Sequence, residues 1–257
     1  MRVHVALSPS EFADAPVSGR TVLAVDVLRA TSAAVAACEA GCRRVVPVPD
    51  EAVAEALRDG AGVVLAGERG GNPIPGFDLG NSPDEFTRAR VEGRTVVLTT
   101  TNGTAAMMRA ATGAAAALAA LTNVTAAADW ARDQRRDVTI LCAGDNGAFS
   151  LEDAVCAGLL VVRLTEGVSA AELSGGAEAA RALGRHYAGR LPRLAADSLW
   201  ARRLAHQARE VDLAACLRQD VSAVVPVFVD GGFVGGRSEP TGLAVGAPGR
   251  GGTGAGA

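Results

Sequence analysis

The chain contains no lysine, so all 25 basic residues among its 257 are arginine. This excludes a Schiff-base lysine, a pyridoxal-phosphate lysine and the lysine of a phosphate loop. Histidine is scarce: His4, His186 and His206 are too far apart in sequence to pair at metal-ligand spacing, which disfavours a zinc hydrolase. Cys38, Cys42, Cys142, Cys156 and Cys216 form no CxxC, so neither a disulfide framework nor a zinc site is indicated. No apolar run reaches the ~18 residues of a membrane span. The opening "MRVHVALSPSEFADAPVSGR" lacks the apolar core and small-residue cleavage site of a signal peptide, and a cytoplasmic protein is expected. Net charge is −3, and the arginines are spread along the chain rather than gathered in a stripe. Nucleic acid is therefore an unsuitable partner, and no membrane partner is expected.

Short apolar runs are what the chain does have. "HVAL", "TVLAVDVL", "RVVPV", "GVVLAG", "TVVLTT", "VTILCAG" and "VVPVFV" alternate with amphipathic stretches such as "PDEAVAEALRDG" and "SLEDAVCAGLLVVRL". Apolar strands without polar alternation belong to a sheet covered on both faces. The expected fold is α/β: three layers, α/β/α, around a largely buried, mostly parallel or mixed sheet. Residues 1–245 are expected to form one catalytic domain, in which 165–217 is mainly helical, either as a subdomain or as the cover of one sheet face. The tail 246–257, "GAPGRGGTGAGA", has too little apolar surface to offset the entropy of ordering it.

Polar residues gather where these strands end. Asp26 and "VLRATS" follow "TVLAV", Glu68 and Arg69 follow "VVLAG", "TTTNGT" follows "TVVL", and Asp145 follows "VTILCAG". In an open α/β sheet, ligands bind in the crevice outside the carboxyl ends of the strands. The loop Thr100, Thr101, Asn102, Gly103 and Thr104 offers hydroxyls, an amide and backbone N–H groups at a helix start, as a phosphate or carboxylate requires. The same residues also suit a plain helix cap. "AGERGGNPIPGFDLGNSPDEF" brings Glu68, Arg69, Asp78 and Asn81 on a long loop, with Ser82 and Pro83 placed to start a helix. In "CAGDNGAFSLED", Ser150 and Asp153 read as a capping pair, which leaves Asp145 and Glu152 without that explanation. Several carboxylates beside a phosphate site suggest Mg2+, which takes one or two carboxylates, waters and phosphate oxygens and needs no histidine. Two phosphatase signatures fail: Cys38 to Arg44 fits Cys-x5-Arg but is followed by a strand, and the position two after Asp26 is Leu28, where haloacid-dehalogenase phosphatases carry a second aspartate.

"VDVLRATS", "AGERGG…GFDLGNSP", "TTTNGT" and "CAG…SLEDAVCAG", in this order, closely resemble the 2-phosphosulfolactate phosphatase family of coenzyme M biosynthesis, and the similarity runs from about Val3 to Val229. "VDLAACLRQDVSAVVPV" is similar to the family's C-terminal segment, which contributes Asp212 and Asp220. The resemblance implies a Mg2+-dependent phosphomonoesterase releasing sulfolactate and phosphate. Trp200, Ala201 and Ala208 depart from the family pattern, which often has a histidine-glycine pair and a later glycine there. On this reading Asp26, Glu68, Asp78 and Asp145 hold the metal or position the attacking group, with Asp26, Glu68 and Asp78 as metal ligands. Arg29, Arg69, Asn81 and the Thr100 to Thr104 loop bind a small anionic phosphoester. Glu152, Asp153, Asp212 and Asp220 are secondary candidates, and homo-oligomerisation is left open. The alternatives are a phosphatase for another phosphorylated hydroxy acid and a non-catalytic anion or nucleotide receptor.

Overall fold

The structure, a computed structural model, describes residues 1–237; the expected domain end at 245 and the tail 246–257 lie outside the described residues. The strands are β1 (Arg2–Ala6), β2 (Thr21–Val25), β3 (Arg44–Pro47), β4 (Val63–Arg69), β5 (Asn72–Pro73), β6 (Thr95–Thr99), β7 (Ala115–Ala119), β8 (Val138–Cys142), β9 (Glu172–Leu173), β10 (Val224–Val229) and β11 (Gly232–Arg237). They form one open sheet in the order β5-β4-β6-β3-β11-β10-β7-β2-β8-β1-β9. The β10–β11 hairpin runs antiparallel to both β7 and β3, and it separates a parallel group around β6 from another around β2. The sheet is therefore mixed, as expected.

The helices are α1 (Ala30–Glu39), α2 (Glu51–Ala56), α3 (Arg88–Val91), α4 (Gly103–Ala110), α5 (Val124–Asp133), α6 (Leu151–Thr165), α7 (Gly175–Tyr187), α8 (Leu194–Asp197), α9 (Leu199–His206) and α10 (Glu210–Cys216). Side chains of a strand point alternately to its two faces, and β2 shows this directly. Leu23 and Val25 enter a core with Ala127, Val155, Leu160, Ala180, Leu204 and Leu213, whereas Val22 and Ala24 enter another with Ala33, Ala37, Met107 and Ala110. Helices α5, α6, α7, α9 and α10 thus cover one face and α1 and α4 the other, which makes three layers. The helical part at 165–217 buries Ala177, Leu194, Leu204 and Leu213 in the same core as the strands.

All seven apolar runs are strands. The second core also takes Val64 and Ala66 from β4, Val96 and Leu98 from β6, and Ala116 and Leu118 from β7. Both parallel groups therefore pack against α1 and α4, and the three antiparallel pairings between them make β3, β4 and β6 run opposite to β2 and β7. Local signals agree with the elements they start: Asp50 accepts from Val53 N at 2.9 Å to cap α2, and Ser150 accepts from Asp153 N at 3.3 Å to cap α6.

Candidate active site

A narrow, largely closed cleft of about 20 Å3 lies beside the end of β2. Six sequence candidates line it, Asp26, Arg29, Glu68, Asn81, Thr101 and Asn102, together with Leu28, Gly70, Asn146 and Trp200. Asp26 follows the last residue of β2 and precedes α1. Its N–H donates to Thr31 Oγ1 at 3.0 Å, Thr31 donates back to the Asp26 carbonyl at 2.7 Å, and Ala30 N–H donates to Oδ1 at 3.3 Å. The start of α4 faces it. A Cβ on Gly103 would come within 2.4 Å of Asp26 Oδ2 and of Ala30 Cβ, so only glycine permits these two helix N-termini to meet. Their positive dipole ends make this junction attractive to an anion.

Glu68 ties two loops together. Its Oε1 accepts from Thr101 N at 2.7 Å; its Oε2 accepts from Gly71 N at 2.6 Å and from Thr101 Oγ1 at 3.2 Å. Gly70 and Gly71 form the tight β4–β5 turn with positive φ (57° and 88°), and a Cβ on Gly71 would lie 2.7 Å from Gln207 Oε1. Arg29 is buried: it pairs through Nη1 with Asp212 and donates from Nη2 to the Gly71 carbonyl at 2.8 Å. Ser82 donates to the other oxygen of Asp212, which fixes the guanidinium from behind. Beside Gly71, Trp200 donates its indole N–H to the Leu28 carbonyl at 2.9 Å, leaving ring carbon toward the cleft.

The electrostatics centre on Asp26. Burial pushes its carboxyl up from 3.8 to about 7; the charges of Glu68 and Glu152 push the same way, against the Ala30 N–H bond and Arg29. Asp153 does not line the cleft. Its carboxylate accepts from Val27 N at 2.8 Å and Gly144 N at 3.0 Å, holding the ends of β2 and β8 in register, and burial followed by the charges of Asp26 and Glu152 raises it well above the usual carboxylate range. Glu152 is also raised by burial, and its Oε2 is buried without a hydrogen bond.

Several sequence assignments need correction. Asp78 is exposed and accepts from Leu65 N at 2.8 Å, midway along β4 and away from the cleft, so it drops out of the metal and catalytic set. Arg69 points off the cleft to Glu51 at 3.2 Å, donating also to the Glu68 carbonyl and to Thr99 Oγ1. Side chains alternate along a strand, so Glu68 and its neighbour cannot both face the site. Thr100 and Thr104 act as caps: Thr100 Oγ1 accepts from Thr104 N at 3.1 Å, and Thr104 Oγ1 donates to the Thr100 carbonyl at 3.2 Å. Asp145 holds Arg203 at 3.1 Å and Asn146 Nδ2 at 2.6 Å, which makes it a support for Asn146 rather than a cleft residue. Asp220 caps α5, accepting from Thr125 N at 2.8 Å and Thr125 Oγ1 at 2.9 Å, and lies outside the site.

Asn146 and Trp200 were not among the sequence candidates. Asn146 follows Asp145 in a loop already singled out, and a φ of 50°, which asparagine tolerates, turns its N–H onto Asn102 Oδ1 at 2.9 Å. Trp200 arrives from α9, beyond the Asn146 loop in sequence, and its only sequence signal is that it departs from the family pattern there.

Among the described residues no three His, Cys, Asp or Glu side chains gather as a ready-made metal cage. The oxygens present still suit magnesium, which needs only one or two carboxylates when substrate and water supply the rest. No hydrogen bond reaches Asp26 Oδ2 among the described residues, and Asn81 Oδ1 is buried with no partner.

A family model described as 2-phosphosulpholactate phosphatase matches residues 6–231. A protein of Thermus thermophilus is 42% identical over 230 residues, spanning 89% of this chain and 94% of its own. One of Symbiobacterium thermophilum is 39% identical over 221 residues (84% and 94%), and one of Thermotoga petrophila 37% identical over 233 (90% and 97%). Each bears the name probable 2-phosphosulfolactate phosphatase.

Proposed function

We propose, for a chain that belongs to the 2-phosphosulpholactate phosphatase family, that the cleft is a phosphatase active site hydrolysing a small anionic phosphomonoester with Mg2+, its substrate being 2-phosphosulfolactate and its products sulfolactate and phosphate. The observation that carries this reading is the meeting of α1 and α4 N-termini beside Asp26, Glu68 and the buried Arg29 in one narrow cleft. Phosphoryl transfer asks a protein chiefly for positioning and charge stabilisation, and this cleft provides both.

Asp26 and Glu68 would hold magnesium, whose charge would neutralise the phosphoryl oxygens. The start of α4 and the Asn102 amide receive the phosphate. Arg29, kept in place by Asp212 and the Gly71 carbonyl, presents its guanidinium to the anionic groups of the substrate. Leu28 and Trp200 cover the alcohol portion and limit the entry of water. Attack comes from water or from the Asp26 carboxylate, and the stereochemistry at a chiral phosphoryl group separates them: inversion means direct attack by water, retention an aspartyl-phosphate intermediate.

The direct test is phosphate release from 2-phosphosulfolactate and from other phosphorylated hydroxy acids, with and without EDTA. Magnesium-dependent release, fastest with 2-phosphosulfolactate, is expected. Ligand binding without release from any ester would establish a receptor instead.

A further inference from the structure

We infer that Asn81 is an oxygen ligand of the divalent cation, completing with Asp26 and Glu68 a neutral-plus-anionic oxygen set, and not a binder of phosphate. The inference rests on the magnesium reading of the cleft. Asn81 is 3% exposed, and its Oδ1 is buried with no hydrogen-bond partner. A buried acceptor without a partner costs the folded chain its lost hydration, so its presence in the cleft lining needs a ligand to explain it. Phosphate at neutral pH presents acceptor oxygens, which oppose a carbonyl oxygen. The groups that share the cleft floor, Asp26 and Glu68, are likewise acceptors when ionised. Asn81 Oδ1 and Asp26 Oδ2, neither of which takes a hydrogen bond among the described residues, line the same narrow space, and carboxylate and amide oxygens are ordinary ligands of a hard cation.

The neighbouring contacts explain how Asn81 is held. The preceding Gly80 N–H donates to Glu85 Oε2 at 2.8 Å, and the following Ser82 donates its hydroxyl to Asp212. The backbone on both sides is thereby pinned, and the amide is turned into the cleft by anchors that belong to its neighbours. The helix-start role expected for this segment is real at Ser82 and Pro83, which open a 3-10 turn at Pro83–Glu85. It does not use the Asn81 side chain.

The test is manganese binding to the full chain without substrate, followed by electron paramagnetic resonance, for wild type, Asn81→Ala and Asn81→Asp. Asn81→Ala should bind manganese at least roughly tenfold more weakly. Asn81→Asp, which keeps an oxygen there, should bind as tightly as wild type or tighter. In EDTA the alanine variant should melt no lower than wild type, since it removes an unsatisfied buried group, and magnesium should raise its melting temperature less. Equal manganese affinity in wild type and Asn81→Ala would overturn the assignment while leaving the cation reading intact. Failure of Asn81→Asp to restore affinity would also overturn it, by showing that the amide nitrogen matters. If wild type takes up no manganese, the cation reading itself falls and Asn81 with it.

Discussion

Replacing Asp26 by asparagine should make the metal-free protein more stable while abolishing its activity. The folded-state carboxyl is raised from 3.8 to about 7, chiefly by burial. Between these values the folded chain holds a proton that the unfolded chain has released, so the stability of the metal-free protein falls as pH rises from about 4 to about 7 and is level beyond. The shift corresponds to a loss on the order of 4 kcal/mol at pH 8, which asparagine, having no charge, escapes. The Oδ1 acceptor for Ala30 N–H remains in the variant. For a chain of this size such a gain is roughly 8–16 °C in melting temperature. Thermal melts in EDTA at pH 5, 6, 7 and 8 should show the variant's advantage growing with pH, and magnesium at pH 8 should stabilise wild type but not Asp26→Asn. A variant that melts below wild type at pH 8 in EDTA, or an advantage that does not change with pH, would refute the electrostatic picture of the cleft.

Gly103→Ala should lower stability by about 1–3 kcal/mol and reduce kcat at least tenfold, because its methyl meets Asp26 Oδ2 and Ala30 Cβ at 2.4 Å; melts and initial rates check both. Asp212→Ala leaves Arg29 charged and buried without its partner, with an expected loss of about 3–5 kcal/mol by denaturant titration. Arg29→Ala should raise KM more for a phosphoester with a carboxylate or sulfonate tail than for one with a neutral tail, and equal effects would reject its role. Asp78→Asn and Arg69→Ala should keep kcat/KM within about threefold of wild type, since neither lines the cleft; a large loss for either would place the site elsewhere.

Much of the layout was legible because apolar runs bounded by turn residues are a strong signal, and each of the seven became a strand. β7 escaped notice: its sequence "AAALA" favours helix on propensity, and only its place between β2 and β10 makes it a strand. The glycine-rich β11 was equally silent. At the site, the residues at strand ends Asp26, Glu68 and Asn102 do line one cleft, although β4 and β6 run opposite to β2 and so do not share a carboxyl edge with it. Choosing by charge alone misplaced Asp78 and Arg69, whose directions follow from the pleat of β4 and from a backbone bond at Leu65. Charge also favoured Asp145 over Asn146, although the acid serves to hold the amide in place. The seat of Trp200 depends on how α9 packs over the Gly70–Gly71 turn, which no local pattern records.

The most direct test of the central claim, that distant segments enclose one phosphate and one divalent ion, is a crystal grown with Mn2+ and phosphate and measured at the manganese edge. A single anomalous peak beside Asp26 and Glu68, with phosphate at the start of α4 near Asn102, is the predicted result. Ion and phosphate bound away from this cleft, with the cleft itself holding only water, would contradict it.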